Sequence, residues 1–268
     1  MKTLKHQKKT RKKLVFSKNF KSNLMALIAL LFAFNITHSQ DEVTMFVLHT
    51  DNVKFEKIPA YEKVAKELKD NFTKYNLKDN NWTTVNTQDG RYVYVTPIKN
   101  MAELDKNIMK GLTDKIGEEA VNTMLDSMDD CYDTHNDKII HYIKDLSYEP
   151  EGYTTAGKNY REYHFIYYAP KNAKKIKEAI ANVKALYVKK GIKNGYTIFH
   201  SGFGSDKSYF MVSVAGKDKL EIAQIDKIEE KQLGEELDPA MFNVIALSTK
   251  YEKVEARVRP DLSYYPKE

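Results

Sequence analysis

Cysteine is nearly absent from this chain of 268 residues, Cys131 standing alone. No internal disulfide can form, so stability must come from burial, even in a compartment that permits disulfides. Long apolar runs are equally scarce. Residues 24–34 are apolar but too few to span a bilayer core of roughly 30 Å as a helix, and no second such run follows. The usual nucleophile signals are missing as well. No Gly-x-Ser-x-Gly elbow surrounds Ser201, and strand alternation points Ser201 away from its neighbour His200, so the pair cannot act as nucleophile and base. No haem-attachment motif occurs, and no cysteine follows the apolar run to carry a lipid.

Basic charge is abundant at the start, with nine lysines and arginines before residue 40 and no acidic residue among them. A basic stretch, a short apolar run and the small residues Thr37 and Ser39 together predict a secretory signal peptide over residues 1–39, cleaved to leave Gln40 first. The mature protein is then expected in the periplasm or outside the cell. Removing the leader leaves 34 basic residues against 37 acidic ones, turning a net charge of +6 into −3. That balance offers no footprint for nucleic acid. The lysines at 174, 175, 177, 184, 189, 190 and 193 read as the solvated face of one helix.

The chain repeats itself. Gly117-Glu118-Glu119 returns as Gly234-Glu235-Glu236, and Asp145-Leu146-Ser147-Tyr148 returns as Asp261-Leu262-Ser263-Tyr264. A repeat this large predicts two similar units, residues 40–148 and 159–268, joined by a Pro- and Gly-containing linker at 149–158. In each unit an apolar-rich strand (45–50; 163–168) precedes an amphipathic helix. Its stripe is Tyr61, Val64, Ala65, Leu68 and Phe72 in the first and Ile176, Ala179, Ile180, Val183 and Tyr187 in the second. A hairpin follows, turning at Asp89-Gly90 and at residues 202–205. Helices are then expected over 101–115 and 118–142, and over 219–232 and 239–258, with the repeated Asp-Leu-Ser-Tyr as a candidate last strand.

This order is that of a split βαβ unit, an antiparallel sheet covered by helices on one face. The fold class read here is α+β: two tandem ferredoxin-like domains, with extra helices, whose sheets hide their bare faces against each other as a pseudo-dimeric barrel. The arrangement resembles the dimeric α/β barrel superfamily, which includes antibiotic-biosynthesis monooxygenase-like and haem-processing proteins. Pairing of the halves within one chain, or across a homodimer, satisfies the pattern equally.

Alternation assigns Val93, Val95, Phe210, Val212 and Val214 to the helix side. It sends Tyr92, Tyr94, Thr96, Tyr209, Met211 and Ser213 into the barrel, together with Trp82, Thr84, Asn86, Tyr196, Ile198 and His200. The candidate ligand-binding residues are therefore Trp82, Tyr92, Tyr94, Tyr196, His200 and Tyr209, a lining suited to a small aromatic or apolar molecule. No metal is assigned. Asp126, Asp129, Asp130, Asp133 and Asp137 read as a solvated stripe, and Cys131 as a buried thiol in line with Val121, Met124 and Met128. His49 and His164 read as ordinary strand residues at unmatched positions. No cofactor is called for by any motif. The resemblance raises haem as an alternative, with a ligand from the predicted helix, His135 or His141. Three functions stay open: an exported ligand-binding protein, an oxidative or haem-processing barrel enzyme, and a structural or interaction protein of the envelope without a small-molecule site.

Overall fold

The computed structural model describes residues 44–268, and the leader assigned to residues 1–39 lies outside them. The first half runs β1 (Met45–Val53), α1 (Ile58–Tyr75), β2 (Thr83–Thr87), β3 (Arg91–Ile98), α2 (Lys110–Ile116), α3 (Glu118–Asp129) and β4 (Tyr132–Tyr142). The second runs β5 (Tyr160–Tyr168), α4 (Ala173–Lys190), β6 (Thr197–Ser201), β7 (Tyr209–Gly216), α5 (Lys219–Leu233), α6 (Leu237–Leu247) and β8 (Ser248–Val258). The expected stripe of α1 is buried at Tyr61, Ala65, Leu68 and Phe72, Pro59 preorganises its first turn, and Asn76 ends it in the left-handed region. Asp218 caps α5 by accepting the Glu221 N–H. Among the described residues no helix is long and apolar enough to cross a membrane.

The eight strands close into one antiparallel barrel in the order β1-β3-β2-β8-β5-β7-β6-β4. Each half contributes four neighbouring strands in the same order, β4-β1-β3-β2 and β8-β5-β7-β6. The sheets therefore do not meet as two flat faces. They join edge to edge at two seams, where Val85 pairs with Val258 and Ile140 pairs with Ser201. Closure pairs every edge strand, which removes the exposed hydrogen-bonding edges an open sheet would leave.

Two expected elements are corrected. Residues 132–142 and 248–258 were read as the ends of long helices, yet α3 stops at Asp129 and α6 at Leu247, and strands follow. The polar stretch Asp133 to Asp137 carries no apolar alternation because it is largely exposed. Pairing with β1 decides its conformation, a non-local term that local propensity does not contain. His135 and His141 thus lie on β4 rather than on a helix. Cys131 is buried between α3 and β4, as expected.

The repeated Asp-Leu-Ser-Tyr is the clasp of each seam. Tyr148 of the first half exchanges backbone hydrogen bonds with Tyr196 of the second (2.9 and 2.8 Å), and Tyr264 of the second does the same with Trp82 of the first (both 2.9 Å). The Ser147 hydroxyl accepts the Ile198 N–H (2.8 Å), and the Ser263 hydroxyl accepts the Thr84 N–H (2.8 Å). Even the tyrosine hydroxyls correspond, Tyr148 donating to the Ile192 carbonyl (2.7 Å) and Tyr264 to that of Leu77 (3.0 Å). Each half therefore latches onto the other. Ser147→Ala and Ser263→Ala should each cost about 1–3 kcal/mol by stranding a buried N–H. Their double variant should lose the sum, since the seams are separate. Urea midpoints that leave either single variant unchanged would show the clasp to be passive.

Gly204 serves the β4·β6 seam. Its φ is +81°, and a Cβ there would stand 2.6 Å from the Asp137 carbonyl oxygen. The Gly202-Phe203-Gly204-Ser205 turn is thus a hairpin turn, as its place before a strand implied, pressed against β4 by the Gly202 N–H to Ile139 and Ile139 N–H to Phe203 bonds (both 2.8 Å).

Candidate functional site: the barrel interior

Residues on the inner faces of the strands enclose a cavity of about 280 Å³. Its wall is mostly apolar, built from Leu48, Val85, Val93, Val95, Ile140, Phe165, Phe199 and Met211. Thr50, Thr83, Thr87, Thr197, Ser213 and Tyr209 add hydroxyls, and Tyr153 and Thr155 reach in from the segment between β4 and β5. Three cations complete it, Arg91, Lys138 and Arg161, and no acidic side chain lines it among the described residues. A space of this size is near the small end of ligand pockets, about 300–1,000 Å³.

Of the six residues expected to line the barrel, Tyr209 does so, with its neighbours Met211 and Ser213 on β7. The other five face outward beneath the helices. Trp82 packs between Phe72 of α1 (5.0 Å between rings) and Tyr264 (5.2 Å), its indole N–H donating to the Leu262 carbonyl (2.9 Å). Tyr92 lies on Tyr61 (4.7 Å) and donates to Glu62, and Tyr94 shares a hydroxyl–hydroxyl bond with Tyr61 (2.9 Å). Tyr196 packs against Tyr187 (5.3 Å) and Tyr148 (6.1 Å). His200 meets the Tyr168 hydroxyl through Nε2 (2.6 Å), and burial, followed by nearby His141 and Lys177, lowers its pKa.

The alternating sets were therefore separated correctly, but on β2, β3 and β6 the inner and outer sets are exchanged. The reason is that both faces of a helix-wrapped barrel are apolar, so alternation gives two sets without saying which is inside. The larger rings went under the helices, where packing is deepest. Lys138 was missed because its segment read as helix. Arg91 and Arg161 carried a usable signal: each opens an alternating inward row, Arg91-Val93-Val95 and Arg161-Tyr163-Phe165.

The electrostatics favour an anion. Burial pulls the Lys138 pKa below its ordinary value, the like charge of Arg91 lowers it further, and Asp206 alone opposes. An ammonium so placed gains from any carboxylate or phenolate brought beside it. Arg91 is already held by Asp89 (2.8 Å), which fixes its direction, while Arg161 donates to the backbone carbonyls of Lys158 and Tyr160. Burial also raises the pKa of Tyr163, with Arg161 opposing, and that of Tyr209, with the Ser205 hydroxyl opposing. The Tyr209 and Ser205 hydroxyls are both buried without a well-formed hydrogen bond.

No protein-family model and no curated protein matches this sequence. Solved structures do. An anthrone oxidase-like protein aligns with a TM-score of 0.53 at 11% identity, covering 81% of this chain and 92% of that one. A candidate monooxygenase from Fusobacterium nucleatum subsp. nucleatum aligns at 0.49 and 13%, with the same coverage, and a chlorite dismutase variant from Candidatus Nitrospira defluvii at 0.46 and 7%, covering 82% and 94%. What is shared is the α/β barrel fold. At 11% identity the likeness to the anthrone oxidase-like protein extends to architecture alone.

Proposed function

We propose that this protein is an exported binding protein whose barrel takes a small, flat, largely apolar molecule bearing one anionic group. The observation that carries this reading is the cavity wall: apolar side chains around Lys138, Arg91 and Arg161, with no acidic residue among the lining. The rings of Phe165, Phe199 and Tyr163 supply contact area, and the cations supply charge. Export rests on the leader over residues 1–39. The matching strand orders and clasps support a tandem duplication, with units at 40–148 and 159–268 and a linker at 149–158 that takes part in the site through Tyr153 and Thr155.

Thermal shift against paired aromatic carboxylates and their neutral amides tests the reading. Carboxylates should raise the melting temperature, by about 2.7 kcal/mol of added stability at a hundredfold excess over Kd. Lys138→Met should erase the preference for the charged member of each pair. A panel without any shift would favour the structural or interaction role instead.

A barrel enzyme is the second reading, and what favours it is the pair of tyrosines, Tyr163 and Tyr209, that burial sets with raised pKa values in an otherwise apolar wall. His135 and His141 present no axial ligand to the cavity, and no histidine or cysteine lines it. Tyr153, Tyr163, Tyr209 and Met211 are the lining side chains of types that ligate haem iron.

A further inference from the structure

We propose that His49, Asp51 and His135 form a site for a divalent transition metal on the outer face of the first half, apart from the barrel cavity. His49 and Asp51 are two residues apart on β1 and share one face. His135 sits directly across from Asp51 on β4, and Asp137 across from His49. One ligand atom from each of His49, Asp51 and His135 lies within 4.8 Å of the others.

The detail of the contacts points to a cation. Asp137 Oδ1 lies 2.8 Å from His49 Nδ1. With the proton on Nδ1, the lone pair of Nε2 faces Asp51 Oδ1 at 3.1 Å. Two electron-rich atoms at that separation need a proton or a metal ion between them, and Asp51 Oδ1, on a carboxylate only 1% exposed, has no hydrogen-bond partner. Ligands about 2.1 Å from one ion at 90–109° stand about 3.0–3.4 Å apart, which the His49–Asp51 pair already satisfies. His135 is exposed, so a rotamer change brings its ring in. Its ring already packs 5.4 Å from that of His49.

The supporting groups are also in place. Asp137 orients His49 as an outer carboxylate, and the Tyr61 hydroxyl donates to Asp51 Oδ2 (2.5 Å), leaving Oδ1 for the metal. Two imidazoles and one carboxylate suit zinc, iron, cobalt or nickel, with water in the remaining positions.

The second half supplies a control. When β4 and β8 are aligned by the repeated Asp-Leu-Ser-Tyr, Asp137 falls on Lys253, whose partner on β5 is His164. His49 and His164 are thus matched positions, which corrects the sequence reading. At the remaining places Asp51 becomes Ile166 and His135 becomes Tyr251, which takes up His164 through its hydroxyl (2.7 Å). One half keeps the ligands and the other has lost or never gained them.

Cobalt(II) added to the metal-free full chain should produce saturable visible d–d absorption, and zinc(II) calorimetry should give one site per chain. Asp137→Asn should weaken zinc binding about 10–100-fold. His135→Ala, at an exposed position where circular dichroism can verify the fold, should abolish saturable binding, and His164→Ala should leave it unchanged. Absence of saturable binding to the unaltered chain, or binding that survives His135→Ala, would overturn the site; in the first case a second proton on His49 fills the place assigned to the metal.

Discussion

Replacing Trp82 with alanine should remove about 3–5 kcal/mol of stability, a large part of the 5–15 kcal/mol typical of a folded domain. The indole is buried against Phe72 and Tyr264, and its backbone forms the bridge that closes the β2·β8 seam. Truncation leaves a cavity beneath α1, and the Leu262 carbonyl loses one of its two side-chain donors, keeping the Thr84 hydroxyl. The midpoint of urea unfolding, followed by far-ultraviolet circular dichroism, measures the loss. A change below about 1 kcal/mol would mean that the seam holds without its ring. Trp82 is also the only tryptophan, so in the unaltered protein its fluorescence reports on this seam alone. Its transition should coincide with that of the circular dichroism signal, because neither half can keep its edges paired once the barrel opens.

Met211→Trp carries the second large effect, on ligand binding. Met211 is buried in the cavity wall on β7, among Leu48, Ile140 and Tyr209. An indole there occupies space that a flat ligand would take, so the stabilisation by aromatic carboxylates should disappear while the fold persists. Overpacking of a filled core costs about 1–3 kcal/mol, but an existing cavity absorbs much of it. If the variant unfolds outright, the interior is already full. If ligands still raise its melting temperature, they bind elsewhere on the protein.

Much of the architecture was readable from the residues. The repeated Asp-Leu-Ser-Tyr was the strongest signal, and it marks a real device, although a clasp between halves rather than a strand within each. Strand β1, helix α1 and both hairpins followed from local periodicity and turn residues, which are short-range properties. Strands β4 and β8 were hidden because their conformation comes from partners far away in sequence, β1 and β5. The candidate site failed differently. Tyr92 and Val93 are both apolar enough to be buried, and nothing local states which of two buried faces meets a helix and which meets the barrel. On β7 the inward set was right because it mixes Tyr209, Met211 and Ser213, whereas Phe210 and Val212 suit a helix-covered face. The proposed metal cluster was invisible because His135 joins His49 and Asp51 only through the β1·β4 register.

Both clasps run from one half to the other, and the single segment between β4 and β5 joins the halves. Two chains could therefore trade partners, each barrel being completed by a half from its neighbour, without giving up one seam hydrogen bond. What favours closure within one chain is the effective concentration set by that short tether, not any contact forbidding exchange. Stiffening or shortening the tether would tip the same surfaces toward an entwined pair of barrels.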